Sequence, residues 1–208
     1  MRRSSPDQLD LFGGGDGTGP VDPSQRFGGQ PWTSCFFAVL PPPDVARAVD
    51  ALGHQLRRSM GLRGKLIGPD RYHITLCGTG AFGAPPFEII ERLKQIGRSM
   101  HGPVFDVFFD QTAAFGGSYG QRSLVLTSSD TPPALIDLQA HLYDAIKLAK
   151  LPGDEPSNPH MTLLYDKRPA PQIGIPRVSF AVREFVLIRS IRGTSHHDHL
   201  AHWPLDAR

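Results

Sequence analysis

Four residues written twice restrict this chain more than anything else in it. His73-Ile74-Thr75-Leu76 recurs as His160-Met161-Thr162-Leu163, 87 residues on (160 − 73). Side chains of an extended strand alternate between faces, so within each copy His and Thr share one face. The aliphatic residue and the Leu take the other face and point into a core. A single strand with a polar edge is commonplace, but two such strands predict two half-domains that each present one imidazole and one hydroxyl to a shared cleft. The surroundings repeat as well: strand, proline-marked turn, helix, motif strand. Leu40 precedes His73 by 33 residues, and Leu126 precedes His160 by 34. An internal duplication follows from this spacing.

Hydrophobic periodicity supplies the elements between the motifs. Thr33–Leu40 predicts a buried strand stopped by Pro41-Pro42-Pro43. The next helix has Asp44 in its first turn and Val45, Val49, Leu52, Leu56 and Met60 on one stripe. Arg71–Cys77 is the first motif strand, and Gly78-Thr79-Gly80 is expected to break it. A helix near Phe87–Met100 turns Ile89, Leu93, Ile96 and Met100 inward, and a strand over Val104–Phe109 leads to a turn at Gly116-Gly117. The second half restarts with a strand at Arg122–Thr127 and a helix opened by Pro132-Pro133, with Leu135, Leu138, Leu142, Ile146 and Ala149 buried. Leu151–Pro159 loops into the second motif strand, His160–Tyr165. Val178–Ile191 and a strand ending near Trp203-Pro204-Leu205 complete the sheets.

Residues 1–31 are rich in Gly, Ser, Pro and Asp, too polar to offset the entropy of ordering. They are expected to form a flexible tail ahead of a single domain over 32–208, with Leu9, Leu11 and Phe12 its one apolar cluster. A net charge of +2 implies no broad basic surface for duplex nucleic acid, although a pocket for an RNA end needs none. No apolar run approaches the ~20 residues of a membrane helix, and no apolar segment follows the N-terminal arginines. A cytoplasmic protein is therefore expected, with Cys35 and Cys77 as buried, reduced thiols.

The two His-x-Thr-Leu strands resemble those of the 2H phosphoesterase superfamily, and within it the bacterial 2′-5′ RNA ligase group, also called RNA 2′,3′-cyclic phosphodiesterases. Cys35-Phe36-Phe37-Ala38-Val39-Leu40-Pro41 is similar to that family's opening strand, and Asn158-Pro159 to the approach to its second motif. Arg183-Glu184-Phe185-Val186-Leu187 and His202-Trp203-Pro204-Leu205 are similar to its last strands. The resemblance spans roughly residues 33–205. It implies an α+β fold of two pseudo-symmetric lobes, each an antiparallel sheet backed by helices, with the active-site cleft between them. It implies hydrolysis of RNA or nucleoside 2′,3′-cyclic phosphates to 2′-phosphates, with reversible 2′-5′ ligation, by an enzyme that needs neither metal nor cofactor. The expected partners are RNA ends or nucleotides carrying the cyclic phosphate, and a monomer is expected.

The residues present suit that chemistry. An imidazole titrates near neutrality, so one can act as acid while the other acts as base. His73 and His160 are the candidate pair, and the sequence leaves open which is which. Thr75 and Thr162 are candidates to donate to the non-bridging phosphate oxygens. Tyr165 stands where many relatives carry a basic residue, and stacking on a base or plain packing would each account for it. Phe37 is a weaker stacking candidate. The first motif is followed by Cys77-Gly78-Thr79-Gly80 where relatives carry a Phe-Leu-Gly-like run. Arg71 and Arg122 could supply charge to a phosphate. His196-His197-Asp198-His199 with His202 forms a histidine tract whose spacing matches no helical zinc pattern, and it reads as a cleft-edge or solvated segment before a metal site or a set of substrate contacts. Three alternatives remain: a phosphodiesterase on another small cyclic nucleotide, a 2′-5′ oligonucleotide or an ADP-ribose cyclic phosphate; an RNA-end-binding protein with little turnover; and a metal-dependent hydrolase using the histidine tract.

Overall fold

Each strand of the protein runs antiparallel to its neighbours. A computed structural model of the chain describes residues 33–83, 87–116, 122–191 and 196–206. The expected tail over 1–31 lies outside the described residues, as does Gly117 of the expected turn. The strands are β1 (Thr33–Val39), β2 (Ile74–Phe82), β3 (Phe105–Gly116), β4 (Arg122–Thr127), β5 (Met161–Asp166), β6 (Gly174–Val182), β7 (Glu184–Ile191) and β8 (His197–Pro204). Their spatial order is β6-β3-β4-β5-β2-β1-β7-β8. The two expected lobes are the four-stranded halves β6-β3-β4-β5 and β2-β1-β7-β8. They join in one sheet through a single residue pair, Ile74 with Met161.

The duplication is visible in the register. Val39–Ile74, Ala38–Thr75, Phe37–Cys77 and Phe36–Gly78 are paired between β1 and β2. Each pair recurs 87 residues later between β4 and β5, as Leu126–Met161, Val125–Thr162, Leu124–Leu164 and Ser123–Tyr165. Each motif strand takes an irregular step at its Leu, so that Leu76 and Leu163 are the extra residues of two equivalent bulges. A bulge re-aims the side chains that follow it. Here it turns Cys77 and Leu164 into the core after Leu76 and Leu163, and leaves Tyr165 exposed.

Three helices cover one face: α1 (Pro43–Ser59), α2 (Phe87–Ser99) and α3 (Pro133–Leu148). Both α1 and α3 begin with Pro at a first-turn position, where its missing N–H costs no hydrogen bond. Helix α1 crosses to pack on β6, α3 packs on β2 and α2, and α2 reaches β7 and β8. Their apolar stripes meet Phe37, Ile74, Leu76, Met161, Leu163 and Phe185 in one core. The opposite face of β1 and β7 carries a small apolar patch of Ala38, Val186 and Ile188, flanked by Phe36 and Leu40.

Four expectations are corrected. The first motif strand begins at Ile74 and not at Arg71, because Pro69–Arg71 forms a short 3-10 turn. Gly78-Thr79-Gly80 does not end β2, which runs on to Phe82. Pairing with β1 continues past the bulge, and the Thr79 hydroxyl donates to the Cys35 carbonyl at 2.7 Å. Strand β3 is twice the expected length because Phe105–Phe109 pairs with β6 while Gln111–Gly116 pairs with β4. Val178–Ile191 is two strands, broken at Arg183, since β6 pairs with β3 in one half and β7 with β1 in the other. Both cysteines are buried and free, and burial pushes their thiols up to about 11 for Cys35 and about 12 for Cys77. No helix among the described residues is long and apolar enough to cross a membrane.

Candidate active site

His73 and His160 sit one residue before the Ile74–Met161 pair, so the junction of the two halves carries both imidazoles. Each ring is held in the same way. His73 Nδ1 lies 2.7 Å from the carbonyl of Arg71, and His160 Nδ1 lies 2.8 Å from the carbonyl of Asn158. A carbonyl only accepts, so in both rings Nδ1 carries the hydrogen and donates it. That leaves Nε2 of each neutral imidazole as a free lone pair. Thr75 and Thr162 follow two positions on, paired across the ladder with Ala38 and Val125. Directly opposed residues share a face, and Ala38 lies on the face away from the helices.

Burial holds both imidazoles neutral. His73 is pushed down to about 4, mainly by desolvation, with the charges of His160 and Arg71 adding to the effect against the Arg71 carbonyl bond. His160 is lowered as well, again mainly by desolvation. The rings around them differ. Phe36 lies 5.0 Å from His73 between centroids, and His197 meets His73 edge-on at 5.5 Å. Phe115 meets His160 edge-on at 4.8 Å.

The other residues singled out from the sequence fall in several places. Phe37 is fully buried against Phe185 and Trp203, so it offers a substrate no surface. Strand alternation gives the site face to its neighbour Phe36 instead. Tyr165 is 51% exposed. Arg122 opens β4 opposite Asp166 and is exposed. The histidine tract separates by position. His197 joins the site, pushed down to about 3 by burial and then by His73 and Arg71. His196 contacts Asp198 at 2.9 Å, His202 contacts Glu184 at 3.2 Å, and His199 packs edge-on to His202. Asp198 is held by Arg189 at 2.6 Å. Among the described residues no three His, Cys, Asp or Glu side chains are grouped to hold a metal ion. Sequence reasoning passed over Phe36 and Phe115 as site residues, and flagged His197 only as one of the tract; alternation from the buried Phe37 gives Phe36, while Phe115 comes from a remote strand and leaves no local signal.

Beyond the Ile74–Met161 pair the motif strands diverge, and each exposed edge is covered by the loop preceding the other motif. Ile67 N–H donates to the Leu163 carbonyl, and Asp154 N–H donates to the Gly78 carbonyl at 3.0 Å. The first loop is pinned further by Asp166, whose carboxylate accepts from the backbone N–H groups of Arg63 (2.5 Å), Gly64 (2.6 Å) and Arg168 (2.9 Å). Gly64 has no Cβ because one there would overlap the Tyr165 carbonyl. Between this loop and Tyr165 lies an open cavity of about 370 Å³. A second, of about 340 Å³, lies beside His160 and includes Phe115 and Asn158.

The fold has counterparts among solved structures. E. coli LigT complexed with 3′-AMP is similar at a TM-score of 0.66 and 23% identity, over 84% of this chain and 98% of that one. E. coli LigT in apo form is similar at 0.65 and 25% identity, with the same coverage. TT0787 of Thermus thermophilus is similar at 0.67 and 22% identity, over 84% and 98%. Among curated protein sequences none matches the chain significantly. The family model of the 2′-5′ RNA ligase superfamily matches residues 41–194, which include both His-x-Thr-Leu strands, and this chain belongs to that superfamily.

Proposed function

We propose that the protein hydrolyses the 2′,3′-cyclic phosphate of an RNA end or nucleotide to a 2′-phosphate, with His73 and His160 as the acid–base pair. The observation that carries this reading is the matched pair of rings at the strand junction, each with Nδ1 committed to a carbonyl and Nε2 free. One Nε2 takes a proton from water as the water oxygen bonds to phosphorus. The other, protonated, gives its proton to the departing 3′ oxygen, so the phosphate stays on the 2′ oxygen. Thr75 and Thr162 donate to the non-bridging oxygens, whose charge grows as phosphorus becomes five-coordinate. Replacing water by an RNA 5′-hydroxyl in the same steps gives a 2′-5′ link.

Both imidazoles are neutral in the free protein near pH 7, so the acid acquires its proton when the phosphate anion arrives and offsets the desolvation. E. coli LigT has been crystallised with 3′-AMP, a ribonucleotide of the size this reading calls for. The test is turnover of a 2′,3′-cyclic nucleotide in chelator by wild type, His73→Ala and His160→Ala. Each deletion is expected to cost on the order of 10²–10⁴-fold in kcat. Activity that survives both deletions but disappears in chelator overturns the assignment.

A further inference from the structure

The two cavities that flank the histidines differ in charge. The one beside His160 is lined by Phe115 and by neutral polar side chains, among them Gln111, Thr127, Asn158 and Gln172, with no charged residue. The one beside His73 is lined by Lys65, Arg71, Asp70 and Tyr165 together with the Leu66–Gly68 stretch. None of His73, Thr75, His160 or Thr162 lines this charged cavity, so whatever it takes is not the reacting phosphate.

Arg71 is the unusual group there. Tyr72 is buried and extended, and its hydroxyl donates to Asp50 at 2.9 Å, which ties it to α1. Arg71 closes the short 3-10 turn Pro69–Arg71 just before it, and its charge is near enough to His73 to push that imidazole down. The Arg71 side chain makes no hydrogen bond or ion pair among the described residues, and its Nε is buried without a partner. A buried N–H of a guanidinium left unpaired costs free energy that an anion would recover. Lys65 likewise has no ion-pair partner among the described residues, and Asp70 is the one carboxylate lining the cavity. The wall is prebuilt, because Asp166, the Ile67–Leu163 hydrogen bond and the close approach of Gly64 fix the loop against β5.

We propose that this cavity binds the 5′-phosphate of the nucleotide whose 2′,3′-cyclic phosphate reacts, with Arg71 as its main cation and Lys65 as a second. The inference rests on the hydrolysis proposed above. Two cations and an unpaired guanidinium N–H call for an anion, and the 5′-phosphate is the charged group nearest the reacting ring on the same nucleotide. It is either a free monophosphate or the diester link to the rest of an RNA strand. The uncharged cavity beside His160 suits the base, which carries donors and acceptors but no charge.

The test compares adenosine 2′,3′-cyclic phosphate with its 5′-phosphorylated form and with the dinucleotide ApA ending in the same cyclic phosphate, using wild type, Arg71→Gln and Lys65→Gln. The wild type is expected to favour a 5′-phosphorylated substrate by on the order of 10-fold or more in kcat/KM, the scale of a charge-assisted contact. Arg71→Gln brings that ratio towards one, and Lys65→Gln lowers it less. Preference for the dinucleotide marks the RNA link as the source, and preference for the 5′-monophosphate alone marks the free nucleotide. A ratio near one in the wild type, or an Arg71→Gln variant that loses both substrates equally, overturns the proposal. Calorimetric binding of adenosine 2′,5′-bisphosphate against adenosine 2′-phosphate separates the two readings. Tighter bisphosphate binding without turnover keeps the cavity and removes the hydrolysis, whereas turnover with equal binding does the reverse.

Discussion

Removing the Asp166 carboxylate should loosen the wall of the charged cavity and destabilise the whole protein. Three backbone N–H groups converge on it at 2.5, 2.6 and 2.9 Å. A hydrogen bond to a charged group is worth about 1.5–3 kcal/mol, so three give a ceiling of about 4.5–9 kcal/mol. The true loss is smaller, because Arg63 and Arg168 are exposed and water can satisfy their amides, while Gly64 is only half-buried. For Asp166→Ala we expect about 3 kcal/mol. Asp166→Asn keeps an acceptor oxygen but loses the charge, and should cost about half as much. Equilibrium urea unfolding at pH 7 measures both as a shift in midpoint at unchanged slope.

The pH dependence supplies a second check. The three N–H groups, led by that of Arg168, hold the Asp166 carboxyl below the usual carboxylate range. A depressed acid contributes stability above its unfolded value of about 3.9 and loses it as pH falls through the folded value. The gap between wild type and Asp166→Asn should therefore narrow on acidification towards pH 3. A midpoint shift worth less than about 0.5 kcal/mol for Asp166→Ala, or a gap that stays constant in acid, would refute the reasoning.

Four other outcomes are expected. His73, His160 and His197 are all lowered by burial, so between pH 6.5 and about 4 the unfolded chain binds more protons than the folded one. Stability is then complete above pH 6.5 and falls as the pH drops through that window; His73→Gln should flatten the slope in a pH series of urea melts. Removing the Arg71 charge raises the His73 value, and the limb of the pH–rate profile that moves up in Arg71→Gln identifies whether His73 acts as base (acid limb) or acid (alkaline limb). Gly97→Ala on α2 would drive a methyl into the Trp203 ring, costing about 1–3 kcal/mol in urea melts. Gly102→Ala, whose added methyl would come no nearer than 3.7 Å to Leu205, should stay within about 0.5 kcal/mol in the same melts.

What the sequence disclosed and what it withheld divide along local and non-local lines. The helix starts at Pro43 and Pro133 and the stripes through Val49–Leu56 and Leu135–Ile146 are local patterns, and those elements lie where the patterns put them, whereas the first motif strand starts three residues later than its pattern suggests. The continuation of β2 past Gly78 depends on a partner, β1, more than 40 residues away, and the break at Arg183 depends on which edge each strand meets. His73 and His160 were legible because the chain repeats them. Arg71 was visible but undistinguished, since only the fold reveals that its side chain lacks a partner. Phe115 and His197 reach the histidines from β3 and from the β8 end of the tract, by pairings that leave no trace in spacing.

The crossed loops, each sealing the other half's motif strand, have a consequence for ancestry. A half-length chain with one His-x-Thr-Leu strand would have had no loop of its own to cover that strand's edge. It would have needed a second copy related by a two-fold axis, and such a homodimer would hold two imidazoles in identical surroundings. Identical surroundings give identical proton affinities, a poor arrangement for a pair that must divide the labour of donor and acceptor. Fusing the copies into one polypeptide let the two neighbourhoods drift apart. His73 now has Arg71 and His197 beside it, and His160 has Phe115. Covalent linkage thus gave the pair freedom to break the symmetry that the backbone still keeps.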